Sequence, residues 1–258
     1  MGNATSALRT EIHENESNVN ILILGEQGDG KSALINSISF AITEKRSIIA
    51  RIAVKQEDHQ QDRGTTVFRS FRIGGDKQKS MGKVTLFDIP GMQFQTEKQR
   101  DLLSLVLAGI ESHQEIPINN DEELAKWLPR ASIENKNAID FVIWAVDATK
   151  FESGRENGIF YSSASVCDHS RSYYEDLFKI IQQGSRSKYE PFLVFTKMDR
   201  TVLSGYDLRH KVFTWFQTNE RWMIHNYTED GQKRDSTDYT ALNIVSNIIR
   251  IHQAIRKK

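Results

Sequence analysis

The sequence predicts an α/β domain with three layers, in which helices cover both faces of a mostly parallel sheet with an antiparallel edge hairpin. Short apolar runs typical of buried strands recur along the chain, at residues 19–24, 139–148 and 191–196. Segments with apolar residues at helical spacing separate these runs, as in βαβ units. The 258 residues contain no Pro-, Gly- or Ser-rich linker. We therefore expect one domain over residues 18–258, preceded by a flexible segment over residues 1–17.

Composition argues against several classes of protein. Lys plus Arg and Asp plus Glu number 34 each, so no excess of basic charge indicates nucleic-acid binding. A single cysteine, Cys167, cannot form an internal disulfide, which is typical of a reducing compartment. No apolar run approaches the ~20 residues of a membrane-spanning helix, and the N-terminus lacks a signal-peptide core. We expect a cytoplasmic protein.

The first six residues, MGNATS, fit the N-myristoylation pattern M-G-x-x-x-[ST], with Gly2 as the acceptor and Ser6 at the preferred position. A single myristoyl chain gives only weak, reversible membrane binding, so stable anchoring needs a second signal. None is evident, because Arg9 is the only Lys or Arg before the first strand and no cysteine lies nearby. The pattern predicts weak peripheral membrane contact through an acyl chain on Gly2.

Residues 25–32, GEQGDGKS, fit the phosphate-binding pattern G-x-x-x-x-G-K-[ST]. They lie between a predicted strand, residues 19–24, and a predicted helix, residues 33–42. Glycines let the backbone wrap around a phosphate chain, and the helix N-terminus adds partial positive charge. In such a loop the lysine reaches the terminal phosphates and the final hydroxyl ligates Mg²⁺. The predicted phosphate-binding residues are Gly25, Gln27, Gly28, Asp29, Gly30, Lys31, Ser32 and, further along the chain, Gly91.

An edge hairpin is predicted after a polar stretch. VFRSFRI, residues 67–73, alternates apolar and charged residues as a half-exposed strand does. A GGDKQKSMG turn joins it to a second strand, residues 83–88, and the two form an antiparallel pair. Thr65 and Thr66 precede the hairpin. Either hydroxyl could complete a Mg²⁺ shell and contact a γ-phosphate, and the sequence does not distinguish them.

DIPG, residues 88–91, follows the second hairpin strand. A carboxylate at this strand end reaches Mg²⁺ through water, and the Gly91 amide can bond a γ-phosphate. The predicted metal-site residues are therefore Ser32, Thr65, Thr66 and Asp88.

The remaining predicted segments are a helix within residues 94–112, a short helix near 122–128, a central strand at 139–148, a loop at 149–170, a helix at 172–183, a strand at 191–196, a helix at 206–218, a last strand within 221–228 and a helix at 238–255.

TKMD, residues 196–199, ends the strand at 191–196. In the pattern [NT]-K-x-D the aspartate accepts hydrogen bonds from N1–H and the amino group of guanine, and the lysine stem packs over the base. Adenine lacks these two donors and would leave the carboxylate unpaired. The predicted guanine-binding residues are Thr196, Lys197, Asp199, and, after the last strand, Asn226 and Tyr227.

The ordered set of phosphate loop, DxxG and TKxD, each at a strand end, resembles the Ras-like G domain of TRAFAC-class P-loop GTPases. Within that class, RGTTVFRSFRI, LLSLVLAGI, IDFVIWAVDATKF and NYT are similar to the interferon-induced protein 44-like family over residues 18–255. The resemblance implies a three-layer P-loop NTPase fold with GTP or GDP and Mg²⁺ as cofactors. It also implies a cytoplasmic protein linked to innate immunity or growth control, with an unidentified protein effector.

One position departs from the Ras-like pattern. The residue after the DxxG glycine is Met92, where Ras-like enzymes place a water-orienting glutamine. Lys31 and Gln93 remain as catalytic candidates, and Met92→Gln is expected to accelerate hydrolysis. Three functions stay open: a slow GTPase switch, a non-hydrolysing GTP-binding scaffold in innate-immune signalling, and an ATP-dependent P-loop enzyme.

Overall fold

The computed structural model describes residues 2–45, 47–50, 67–73, 84–151, 155–156, 159–160, 175–201, 221–224 and 235–257. The strands are β1 (Val19–Leu24), β2 (Val67–Ile73), β3 (Val84–Asp88), β4 (Gln114–Glu115), β5 (Phe141–Asp147), β6 (Arg155–Glu156), β7 (Ile159–Phe160), β8 (Phe192–Thr196) and β9 (Arg221–Met223). The helices are α1 (Gly2–Glu14), α2 (Lys31–Thr43), α3 (Glu97–Ala108), α4 (Asp121–Trp127), α5 (residues 175–184) and α6 (Asp235–Arg256). Short 3₁₀ turns occur at Leu128–Arg130, Asn135–Asn137 and Ala148–Phe151.

Seven of the strands form one sheet in the order β4-β2-β3-β1-β5-β8-β9. β1 pairs in parallel with β3 and β5, β5 pairs in parallel with β8, and β8 pairs in parallel with β9. β2 is antiparallel to β3, as the predicted hairpin requires, and β4 is antiparallel to β2. The predicted mostly parallel sheet with an antiparallel edge pair is confirmed. The two-residue β4 lies outside β2, so β2 is not the outermost strand.

Helices cover both faces of the sheet, which confirms the three predicted layers. Every residue of β1, β5 and β8 is buried, because side chains of alternate residues pack under helices on opposite faces. Ile21 and Ile23 contribute to the core under α1, α2 and α6. Leu22 and Leu24 contribute to the core on the other face, under α3, α4 and α5. This burial on both faces explains the near-continuous apolar runs of the sequence.

The described residues of the N-terminal segment form one helix and the short loop after it, and the expected flexibility of residues 1–17 stays a prediction. The helix is α1, which packs against α2 and α6. The Glu11 carboxylate accepts hydrogen bonds from Arg250 Nε (2.5 Å) and Nη2 (2.7 Å) and from Ser246 Oγ (2.8 Å). On the same helix Arg9 Nε donates to the carbonyl oxygen of Ala41 at the end of α2 (2.6 Å). The charged side chains of α1 thus pair with helices distant in sequence, a feature that local composition does not reveal.

The remaining boundaries lie close to the predicted ones. α3 begins after Thr96, whose hydroxyl accepts a hydrogen bond from the Gln99 amide. It ends at Ala108 because Gly109 adopts a left-handed φ of 100°. The predicted loop over residues 149–170 is described in part, and there β6 and β7 form an antiparallel pair. The predicted helix over residues 206–218 lies outside the described residues.

None of the helices in the described part of the chain combines the length and the apolarity that a membrane crossing requires.

Candidate functional site

Three sequence motifs meet at one edge of the sheet. The phosphate loop follows β1, DIPG begins at the last residue of β3, and TKMD begins at the last residue of β8. These strands are parallel, so their carboxyl ends open on the same side. In open α/β sheets this edge is where ligands bind. The topology therefore brings the described residues of these three motifs to one edge of the sheet.

The phosphate loop is held in a turn that needs glycine. Gly25 has a φ of 151°, and a Cβ there would lie 2.5 Å from the carbonyl oxygen of Ala145 on β5. Gly28 and Gly30 also have positive φ, at 86° and 79°. The Asp29 carboxylate accepts a hydrogen bond from the Glu26 amide (2.8 Å) and closes the loop on itself. The loop is thus held in shape by contacts within the protein itself.

Lys31 lies inside this loop. It is 7% exposed, and its Nζ donates to the carbonyl oxygens of Gly25 (3.1 Å) and Glu26 (2.9 Å). The two carbonyl oxygens accept from two of the three donors of the ammonium and hold its side chain within the loop. The loop therefore presents a positive charge where a polyphosphate would lie.

Ser32 and Asp88 form a second polar pair beside the loop. Ser32 Oγ donates to Asp88 Oδ2 over 3.3 Å, and Asp88 is 2% exposed. Its other oxygen, Oδ1, is buried and has no hydrogen-bond partner among the described residues. Burial raises the pKa of Asp88 to about 6, against the lowering effects of Lys31, Ser32 and Arg69.

This pair fits a magnesium ion. A hard divalent cation would satisfy the buried Asp88 Oδ1 and accept the Ser32 hydroxyl as a ligand. The described residues hold no cluster of three or more His, Cys, Asp or Glu side chains suited to a metal. Mg²⁺ needs none when phosphate oxygens and waters complete its shell. The predicted partners Thr65 and Thr66 lie outside the described residues.

The DIPG segment rests directly on the phosphate loop. A Cβ on Gly91 would lie 2.5 Å from the amide nitrogen of Gln27 and 2.6 Å from its Cα. No other residue type would fit there without displacing one of the two loops. The Gly91 backbone therefore lies next to the phosphate loop, as the prediction for a γ-phosphate contact requires.

Met92 does not face the site. Its side chain is 6% exposed and belongs to the core cluster that contains Phe94 and Leu102. The expectation that Met92→Gln accelerates hydrolysis assumed a side chain directed at the nucleotide, and the buried position contradicts that assumption. Gln93 is exposed between the two buried neighbours. Its role as a catalytic residue stays a prediction.

TKMD is tied to the phosphate loop through its first residue. The buried Thr196 hydroxyl donates to the carbonyl oxygen of Asp29 over 2.7 Å. Asp199 lies in the turn after β8 and is exposed, so its carboxylate is accessible to a base. The predicted partners Asn226 and Tyr227 lie outside the described residues.

One functional candidate, Asp147, is missed by the sequence analysis. It is the last residue of β5, and its Oδ2 lies 2.5 Å from Lys197 Nζ. Its Oδ1 accepts hydrogen bonds from the amide (2.9 Å) and the hydroxyl (2.7 Å) of Thr149. Burial acts to raise the pKa of Asp147, but the bonds from Lys197 and Thr149 outweigh it and lower that pKa. The only sequence signal is an acidic residue at the end of an apolar run.

Gly2 is the first residue of α1 and is exposed. Its acylation stays a prediction.

No family model matches the chain, and no curated protein matches it either. Among solved structures, the chain is similar to Toc33 from Arabidopsis thaliana in complex with Mg²⁺ and GMPPNP. The two share 14% identity, with 98% of this chain and 90% of the Toc33 chain covered, at a TM-score of 0.46. The fold assignment above rests on the sheet order and the helical layers. Membership of the interferon-induced protein 44-like family stays a prediction.

Proposed function

We propose that the chain binds GTP and GDP with Mg²⁺ and acts as a slow GTPase switch that hydrolyses GTP to GDP and phosphate. The observation that carries this proposal is the hydrogen bond from Thr196 Oγ1 to the carbonyl oxygen of Asp29. It joins the base-selecting motif to the phosphate loop, so one nucleotide can span both. A guanine base at Asp199 would have its phosphates at Lys31.

The phosphate groups would be held by backbone amides of residues 25–32 and by the buried Lys31 ammonium. Ser32 and Asp88 would hold Mg²⁺, which neutralises charge on the phosphates when bound. Gly91, packed against Gln27, would donate its amide to the γ-phosphate. GTP would thereby make a contact on the DIPG segment that GDP cannot make, and this difference is the basis of a switch.

Base selection would depend on Asp199. Its exposed carboxylate accepts two hydrogen bonds from guanine, and adenine cannot supply them. A site that hydrogen-bonds a ligand discriminates strongly against an analogue without the matching groups. This argues against the ATP-dependent alternative.

Hydrolysis would be slow because the described site supplies charge but no water-orienting group at residue 92. A positioned base or orienting group contributes roughly 10²–10⁴-fold to such a step. The buried Met92 also favours a second candidate function, a GTP-binding scaffold that does not hydrolyse its nucleotide. Single-turnover release of phosphate from bound GTP separates the two.

Nucleotide binding is tested by titration with a fluorescent GDP analogue in the presence of Mg²⁺. Lys31→Ala should abolish binding, whereas Lys98→Ala, on the exposed surface of α3, should leave it unchanged. Asp199→Asn should shift preference from guanine to xanthine nucleotides, because an amide can donate to the extra carbonyl of xanthine. If ATP displaces the analogue as well as GTP does, the guanine assignment is wrong.

A further inference from the structure

Asp147 is placed beside the base-selecting motif by the register of the sheet. It is the partner of Thr196 in the parallel pair β5–β8. The Asp147 side chain is 9% exposed, and both of its carboxylate oxygens are used. One faces the Lys197 ammonium at 2.5 Å, and the other accepts two bonds from Thr149. A carboxylate at this depth is costly unless it is paired in this way.

Thr149 fixes the direction of that carboxylate. Its amide and hydroxyl both donate to Oδ1, at 2.9 and 2.7 Å, so Oδ2 is directed at Lys197. The hydroxyl bond can be removed without changing the shape of the side chain, because valine has the size of threonine. The structure therefore contains a three-part arrangement of Thr149, Asp147 and Lys197.

Lys197 is held at both of its ends. Its backbone has a φ of 55°, a left-handed conformation that non-glycine residues rarely adopt. Its ammonium is bound to Asp147, while 28% of its side chain remains exposed. A free lysine would sample many rotamers and lose that freedom when a ligand packs against it. With both ends fixed, the aliphatic stem between them is already ordered.

We propose that Asp147 is a positioning residue that acts through Lys197, holding the lysine stem where a flat purine base packs against it. The inference rests on the proposed function, since the base is that of the guanine nucleotide. Asp147 would touch neither the base nor the phosphates. Its effect would be to remove the ordering cost of Lys197 before the nucleotide binds, which is the general benefit of preorganisation.

Two consequences distinguish this role from others in the site. The stem contacts the base, so loss of Asp147 should weaken GDP and GTP by the same factor. Guanine over xanthine selectivity should not change, because it belongs to Asp199. We expect Asp147→Asn to weaken both nucleotides about tenfold, the scale of one charge-assisted contact.

The test is a double-mutant cycle on the full chain, with affinity for a fluorescent GDP analogue as the readout. The four proteins are the wild type, Asp147→Asn, Lys197→Met and the double variant. Methionine keeps an unbranched stem of similar length without the ammonium. If Asp147 acts through Lys197, each single variant weakens GDP and the double variant is no weaker than Lys197→Met alone.

The inference is overturned if the two losses multiply in the double variant, because Asp147 would then act independently of the lysine. It is equally overturned if Asp147→Asn binds GDP as tightly as the wild type. Asp101→Asn, on the exposed surface of α3, is the control and should leave affinity unchanged. If Asp147→Asn does not fold, Thr149→Val takes its place in the cycle, and the same comparison decides.

The outcome also separates this inference from the function on which it rests. A wild-type chain that binds no guanine nucleotide refutes the proposed function. A wild-type chain that binds GDP but shows multiplicative losses refutes only the role of Asp147.

Discussion

Replacing Met92 by glutamine tests the direction of a side chain on which the hydrolysis argument depends. The two side chains have similar length and volume, so the change leaves no large cavity. What changes is polarity. At 6% exposure, the carboxamide of Met92→Gln would enter the apolar cluster around Phe94 and Leu102.

The expected loss of stability follows from two contributions. Burying a methionine side chain stabilises a fold by roughly 1.5–3 kcal/mol, and most of this is lost with a polar replacement. An amide buried without a partner costs about 1–3 kcal/mol. The two terms overlap, so we expect about 3 kcal/mol in the free energy of unfolding. For a chain of this size that corresponds to a fall in Tm of about 6–12 °C.

The assay is thermal and urea unfolding of the nucleotide-free protein, followed by circular dichroism. The neighbouring position supplies a matched control, since Gln93 is exposed. Gln93→Met introduces the reverse change and should alter stability by less than about 0.5 kcal/mol, as surface substitutions usually do. If Met92→Gln keeps the wild-type Tm and accelerates single-turnover GTP hydrolysis, the side chain faces the nucleotide and the placement in the core is wrong.

Three further predictions concern the rest of the site and the N-terminal helix. Gly91→Ala should weaken binding of GTP more than binding of GDP, because the added Cβ would collide with the Gln27 backbone at 2.5 Å. If the substitution lowers the affinities for GTP and GDP by the same factor, this prediction is wrong. Burial raises the pKa of Asp88 from 3.8 to about 6, so the folded state binds its proton more tightly than the unfolded state. The stability that this group gives the nucleotide-free protein is therefore present below pH 3.8 and is lost as pH rises through about 6. Asp88→Asn should remove the pH dependence of the free energy of unfolding between pH 3.8 and about 6. If the substitution leaves that pH dependence unchanged, the raised pKa does not belong to Asp88. Arg250→Ala should make α1 sensitive to limited proteolysis at a cost below about 1 kcal/mol, since 58% of the Arg250 side chain in its pair with Glu11 is exposed, whereas Arg130→Ala should not.

The sequence predicts the centre of the fold well because its signals are local. β1, β5 and β8 are buried on both faces, so each appears as an apolar run without any knowledge of its neighbours. The phosphate loop is likewise recognisable from spacing alone, since a tight turn against Ala145 requires glycine at residue 25. Features that depend only on near neighbours in the chain are the ones that sequence analysis recovers.

The features that sequence analysis missed depend on residues that are far apart in the chain. Glu11 and Arg250 are 239 residues apart, so nothing near residue 11 indicates that α1 is held in place. Asp147 becomes interpretable only when β8 is known to lie beside β5. The direction of Met92 is set by packing in an irregular segment that has no periodicity. Each of these features concerns which side chains meet across the fold rather than which segments form.

The anchoring of the DIPG segment limits how a switch could operate. Ile89, Met92 and Phe94 are all buried, and Phe94 holds a φ of 51° that is unfavourable for a non-glycine residue. A large displacement of residues 89–94 would expose these side chains and cost several kcal/mol. Such a cost is comparable to the whole coupling energy of a typical switch, about 1–3 kcal/mol. We therefore expect γ-phosphate sensing to shift Gly91 slightly against Gln27 rather than to release the segment. Hydrogen exchange of residues 89–94 should then be similar with GDP and with a non-hydrolysable GTP analogue, and strong deprotection in the GDP state would show that the anchors do give way.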